Sequence, residues 1–439
     1  MERWRAEAEG PGRIEKSRAN VRILVLSTTT GYQLRSFGDA AAALGVELTF
    51  ATDRCHTLDD PWQDAAVAVR FDDLNASVDA VVAAARERPL DGVVAVGDRP
   101  VVVAARVARA LGLRGNPPDA AAASANKLLA RQRFADAGLI APWYCVVPPG
   151  ADAREVAGRV RYPAVVKPLV LSGSRGVIRV NSPDELTRAL SRVRALLARP
   201  EILAMRLETD GTVLVEGYMD GREYAVEGLL TGGTFRALAI FDKPDPLDGP
   251  FFEETVYVTP ALLRPSQRDE ITGEVARAVR ELGLLEGPVH VECRLVPGGV
   301  FVIEVAARPI GGLCSRVLRF GPSGEMSLEE LLLRHACGRD VACVEREQLA
   351  AAVMMIPIPR RGIFKRVTGL DEAREVPFVE DVRVTAKADQ LMEPLPEAGS
   401  YLGFIFARAP RPQDAEAAVR AAHARLTVAI EPAIQVSPA

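Results

Sequence analysis

Two apolar runs, each interrupted by one glutamate, constrain this chain more than any other feature. They read VHVECRLV-PGG-VFVIEVAAR, with Glu292 in the first run and Glu304 in the second. Alternating β-type residues on both sides of Pro-Gly-Gly predict an antiparallel hairpin. With Pro297, Gly298 and Gly299 as a three-residue loop, Glu292 falls directly opposite Glu304, at the roughly 5 Å spacing of cross-strand partners. Like charges so placed among apolar neighbours are destabilising unless a shared proton or a cation relieves them. Mg²⁺, bound through one or two carboxylates and nucleotide phosphates, gives that relief. A register slip of one residue would instead put both glutamates on a solvated surface.

Arg308 follows four residues after Glu304 and leads into Pro309-Ile310-Gly311-Gly312. A guanidinium there suits a transferring phosphoryl group or a developing oxyanion, or a plain salt bridge to Glu292 or Glu304. Lys167 lies in PAVVKPLVL with apolar residues on both sides, where an ammonium needs an anionic partner. Just beyond it, Ser172-Gly173-Ser174-Arg175-Gly176 is a Gly/Ser turn whose N–H groups can cradle an anion or simply reverse the chain. Lys127, at the start of NKLLARQRF, reads by pattern alone as a solvated helix residue. The run VLVEGYMDGREYAVEG is expected to be a hairpin turning at Asp220-Gly221. Its Glu216 and Glu223 are placed to serve a purine edge and a ribose, or to be ordinary surface charges.

Composition narrows the function classes. With 58 acidic and 54 basic residues, the net charge of −4 gives no broad positive surface for nucleic acid or an anionic membrane. The six cysteines include no C-x-x-C pair, and only four histidines could join them at a metal; buried thiols of a cytoplasmic protein are expected. Residues 1–20 carry Arg3, Arg5, Glu7 and Glu9 without an apolar core, so they are expected to be a disordered tail rather than a signal or anchor.

The order of patterns predicts a mixed α/β and α+β multidomain chain. VRILVLS, Val46–Ala51 and Gly92–Val96, separated by helical patterns, predict an open parallel sheet in residues 21–122. Residues 123–343 are expected to form an α+β domain with a lid at about 163–230, and residues 344–439 a carboxy-terminal domain.

Together and in this order, these features resemble the ATP-grasp superfamily over about residues 21–430. The resemblance implies an N-terminal pre-ATP-grasp domain, the ATP-grasp fold and a closing C-terminal domain. It implies ATP phosphates on Lys127 and Lys167 under a mobile loop of Ser172, Gly173, Ser174 and Gly176. Glu216, Gly217, Tyr218 and Met219 would form the adenine hinge, and Glu223 would bind ribose. Glu292 and Glu304 would hold Mg²⁺ or Mn²⁺, and Arg308 would stabilise the acyl phosphate and tetrahedral intermediate. Many members carry Asn two residues after the second metal glutamate, where this chain has Ala306.

FDKPDPLDGPFFEETVYVTP, HVEC and EVAARPIGG, with GIFKRVTGLDEAREVPFVEDVRV and YLGFIFARA near the end, look most like the L-amino-acid ligase and carnosine-synthase group. The resemblance implies a ligase that joins a small-molecule carboxylate to an amine through an acyl phosphate, releasing ADP and phosphate. Lys243, Glu253 and Glu254 would line the acceptor pocket or form a charged loop at the active-site mouth, and the first domain with loops 27–33 and 243–256 is expected to set specificity. Two alternatives stand beside this: an ATP-binding regulatory module without catalysis, favoured by Ala306, and a carboxylase like biotin carboxylase, which would need a carrier partner. A homodimer is left open.

Overall fold

The computed structural model describes residues 21–28, 33–53, 66–207, 209 and 211–433. The expected tail at 1–20, Cys55 and most of loop 27–33 lie outside the described residues.

The amino-terminal sheet is wholly parallel, in the order Val67–Ala68, Glu47–Thr52, Arg22–Ser27, Gly92–Val96. The near-continuous apolar run of Arg22–Ser27 suits a central strand covered on both faces, and Ile23 through Leu26 are fully buried. Helix Leu34–Leu44 ends at Gly45, whose φ of 63° is the left-handed stop that glycine accepts without strain. The strand Gly92–Val96 delivers its carboxyl end, at Gly97 and Asp98, to the neighbouring domains.

An eight-stranded sheet forms the body of the molecule. Its order is Gly299–Ala306, Gly287–Val296, Arg222–Thr231, Thr234–Asp242, Val256–Thr259, Ala350–Ile356, Gly403–Ala409 and Val379–Val384, antiparallel throughout. The expected division at residue 344 therefore does not interrupt the sheet. Strand Ala350–Ile356, buried along its length, pairs with Val256–Thr259 and so covers an edge that would otherwise be open.

A small four-stranded sheet, in the order Tyr144–Val147, Val213–Gly217, Ala164–Pro168, Ile178–Val180, is backed by helix Pro183–Leu197. It corrects the expected lid of about 163–230 at both ends: Tyr144–Val147 belongs to it, whereas Arg222–Thr231 runs in the large sheet. The expected hairpin at Asp220-Gly221 is corrected for the same reason. Val213–Gly217 pairs with Tyr144–Val147 and Ala164–Pro168, while Arg222–Thr231 pairs with Thr234–Asp242 and Gly287–Val296, so residues 218–221 link two sheets. A Cβ at Gly221 would collide with the Leu295 carbonyl, so only glycine lets the link pass.

Candidate active site

The Glu292–Glu304 hairpin has the expected pairing at its acidic end and a different construction at its turn. Val296 pairs with Gly299, so the turn has two residues, Pro297-Gly298, with Gly298 at φ 96°. The register then shifts between Glu292 and Cys293, where Ile303 is the extra residue of a β-bulge, and Glu292 faces Glu304 directly. The three-residue loop is thus corrected, while the pairing it was meant to produce is present. Arg131 secures the bulge: its Nη1 donates to the Val302 carbonyl at 3.1 Å and its Nη2 to the Ile303 carbonyl at 3.2 Å.

Pairing across three strands arranges the site in rows. Glu227, His290 and Ala306 form one row, Ala225, Glu292 and Glu304 the next, and Glu223, Arg294 and Phe301 the third. Alternation along the strand puts His290, Glu292 and Arg294 on one face. That face borders a cavity of about 440 Å³ whose opposite wall includes Lys167, Ser172 and Glu216 from the region of the small sheet.

At one end of the cavity the charges surround Glu216. Arg131 Nε donates to it at 3.0 Å, and the Lys167 ammonium donates to its other oxygen. Burial opposes the Glu216 charge, yet Arg131 and Lys167 hold its carboxyl below the usual range. Burial is also the main cause that pulls Lys167 down. Lys127 stands at the first position of helix Lys127–Asp136 because Asn126 caps the helix, accepting from the Leu128 and Leu129 N–H groups. Its Nζ donates to the Leu171 carbonyl at 2.8 Å and lies 3.2 Å from Glu304.

Next to the cavity the buried Lys243 is surrounded by carboxylates that line it. Its Nζ is 2.8 Å from Glu223, 3.1 Å from Glu292 and also bonded to Glu254. Burial disfavours its charge, but the three carboxylates raise Lys243 well above the ordinary lysine value. Glu254 is driven up by burial and by the Glu292 charge beside it, while Glu292 is driven down, chiefly by Lys243 and His290 against burial. His290 Nδ1 lies 3.1 Å from Glu227, and its Nε2 lies 3.9 Å from Glu292.

Arg308 pairs with neither metal-type glutamate. Its Nε donates to Asp98 at 2.8 Å, across from the amino-terminal domain. Burial works against both charges; Arg308 nevertheless holds Asp98 below its ordinary value and Asp98 lifts Arg308 above its own.

The sequence-predicted residues converge, with three differences. Lys127, Lys167, Ser172, Gly173, Ser174, Glu216, Gly217, Tyr218, Met219, Glu223, Glu292, Glu304 and Arg308 all line the cavity. Gly176 does not: its N–H donates to the Pro396 carbonyl at 2.9 Å, so the loop is tied to residues 393–399. The N–H groups of Gly217 and Tyr218 are committed to the Trp143 and Pro163 carbonyls, at 2.9 and 3.0 Å, so they are not free hinge donors. Each oxygen of Glu216 is taken by a cation, one by Lys167 and the other by Arg131, rather than left open toward a purine edge.

Asp98, Arg131, His290 and Arg294 escaped the sequence reading. Arg131 lies one helical turn after Lys127, and His290 and Arg294 lie two residues on either side of Glu292, so period alone carried a signal for them. Arg294 donates from Nε to Glu223 at 2.9 Å and from Nη1 to the Met219 carbonyl at 3.0 Å, bracing the link between the sheets.

Comparison with known proteins bears on the domains and the fold. Three family models match in chain order: an ATP-grasp N-terminal domain at residues 38–115, an ATP-grasp domain at 160–317 and an L-amino acid ligase C-terminal domain 2 at 354–431. An uncharacterised protein of Sinorhizobium fredii is 28% identical over 78% of this chain and 68% of its own length. Carnosine synthase 1 of Mus musculus is 28% identical over 56% of this chain, which covers only 31% of that protein. The crystal structure of L-amino acid ligase from Bacillus licheniformis superposes with a TM-score of 0.80 at 28% identity, over 94% of this chain and 100% of that one. Among the described residues no helix is long and apolar enough to cross a membrane. The ordered domain matches, the shared fold and the facing glutamates at the cavity together make this chain a member of the ATP-grasp ligase superfamily, with a carboxy-terminal domain of the L-amino acid ligase type.

Proposed function

We propose that the protein is an ATP-dependent carboxylate–amine ligase acting on amino-acid-like substrates through an acyl phosphate. The observation that carries this is the meeting of Glu292 and Glu304 across the hairpin, with Lys127, Lys167 and Arg308 lining the same cavity. Lys127 and Lys167 would contact ATP phosphates, and Ser172, Gly173 and Ser174 would cover them. Met219 would present the adenine hinge and Glu223 the ribose acceptor. Mg²⁺ or Mn²⁺ would be held by Glu292 and Glu304, both hard-oxygen donors, and Glu292 belongs to a group with Glu223 and Glu254 in which three acids share one lysine, Lys243. When bound, that cation supplies charge neutralisation to the phosphate oxygens. Ala306 offers it no ligand.

In the first step a carboxylate oxygen attacks the γ-phosphorus of ATP, the bond to the β,γ-bridging oxygen breaks and ADP leaves. The amine nitrogen then attacks the acyl carbon, its proton is lost, and the carbon–oxygen bond to phosphate breaks. Arg308, oriented by Asp98, would face the oxyanion between these two events. Closure over the cavity matters because water would hydrolyse the acyl phosphate.

The test is product analysis with pooled amino acids, ATP and magnesium. ADP, phosphate and a hydroxamate trapped by hydroxylamine are expected. AMP and pyrophosphate, or ADP without any trappable acyl group, would overturn the mechanism.

A further inference from the structure

The ligase activity leaves one part of the cavity without a task. Beyond Lys243, strands Val256–Thr259, Ala350–Ile356 and Gly403–Ala409 turn Tyr257, Met355 and Phe404 toward the same space. Met355 pairs directly with Phe404, and Tyr401 meets Phe404 edge-on with ring centres 6.3 Å apart. Cys314, fully buried, closes the base. This wall is aromatic rings and sulfur, which suit an apolar or thioether side chain. A charged or amide side chain there would lose its water with little in return.

The acidic end of the wall supplies the second half of the argument. Glu223, Glu254 and Glu292 each offer an oxygen within 4.8 Å of the others. Lys243 serves all three, and Arg294 serves only Glu223. Glu292 faces Glu304 and belongs to the metal pair proposed above. Glu254 therefore borders the cavity beside an apolar wall, sharing Lys243 with the other two acids and hydrogen-bonded to Glu292. An ammonium on the substrate, next to an apolar side chain, answers both features.

Resting on the ligase function proposed above, we infer that the carboxylate substrate is an α-amino acid with a bulky apolar side chain, aromatic or thioether. The side chain sits on Tyr257, Met355, Tyr401 and Phe404, and the ammonium is held by Glu254. The carboxylate then points back toward Glu292, Glu304 and Arg308, where it is phosphorylated.

The experiment uses the full chain with ATP, magnesium and hydroxylamine, and reads hydroxamate formation for single carboxylates without any amine partner. Methionine, leucine and phenylalanine are expected to exceed glycine, alanine, aspartate and lysine in kcat/KM by about tenfold or more, since pocket contacts of one or two methylenes discriminate on that scale. Deaminated analogues such as 4-methylpentanoate and 3-phenylpropionate are expected to fall at least about tenfold below their amino acids. Glu254→Gln should erase that gap, mainly through the amino acids' KM. Met355→Trp should fill the slot and shift preference toward alanine. Equal or better turnover of small or charged amino acids by the unaltered protein overturns the inference, as do deaminated analogues that match their amino acids. Absence of hydroxamate from every carboxylate instead sinks the ligase function itself, and the inference with it.

Discussion

Two buried lysines serve the site from different elements, Lys167 lining the cavity and Lys243 bonded to three glutamates that line it, and their surroundings carry opposite charge surpluses. Lys167 and Arg131 share one carboxylate, Glu216, while Lys127 stands by with Glu304. Lys243 is shared by three carboxylates, of which Glu223 also meets Arg294 and Glu292 also has His290 beside it. Surplus cations suit phosphate, and surplus carboxylates suit a metal ion or an ammonium. The same residue type thus marks two different ligand ends, and neighbours rather than identity decide which.

The sharpest way to break this contrast is Lys243→Met. It leaves three close carboxylates without their shared cation, and removing one partner of a buried pair costs about 3–5 kcal/mol. Thermal or denaturant unfolding is expected to show that loss, with partial recovery in added magnesium. An unchanged melting curve would mean that these acids do not depend on Lys243. Next comes Glu304→Gln, which removes charge from the hairpin at constant volume. Hydroxamate turnover should fall at least about 100-fold with the melting temperature kept, and activity persisting at saturating magnesium would remove Glu304 from the metal assignment.

Lys167→Met should act on ligand binding rather than on folding, because Glu216 keeps Arg131 as its partner. ATP affinity is expected to drop by about 1.5–3 kcal/mol, the scale of one hydrogen bond to a charged group. Calorimetric titration showing undiminished nucleotide binding would make Lys167 purely structural.

The smallest effect concerns Asp98, whose folded carboxyl titrates below its ordinary value of 3.8. A depressed carboxylate pKa contributes stability that is present above the ordinary value and is lost as pH falls through the folded value. Asp98→Asn should therefore flatten the stability profile on the acid side of 3.8 and leave the profile near neutrality parallel to that of the unaltered chain. Superimposable acid limbs would show that Arg308 gains its orientation elsewhere.

What the sequence determined by itself is local and periodic. Apolar alternation around Pro-Gly-Gly set Glu292 against Glu304, strand–helix alternation announced the parallel amino-terminal sheet, and the helical pattern NKLLARQRF put Lys127 near a helix start. Such signals need only neighbouring residues, because turn chemistry and side-chain period act within a few positions. Tertiary structure decided the rest. The Ile303 bulge corrected the register of a shorter turn and relies on Arg131, far away in sequence. The link at residues 218–221 became a crossing between sheets because each flanking strand found different partners. Asp98 reached Arg308 across 210 positions, and Lys243 gathered three acids from separate strands and a loop. Which sheet a strand joins, and which charges it brings together, depends on long-range pairing and on the need to satisfy buried charge, neither of which is written in any short stretch of sequence.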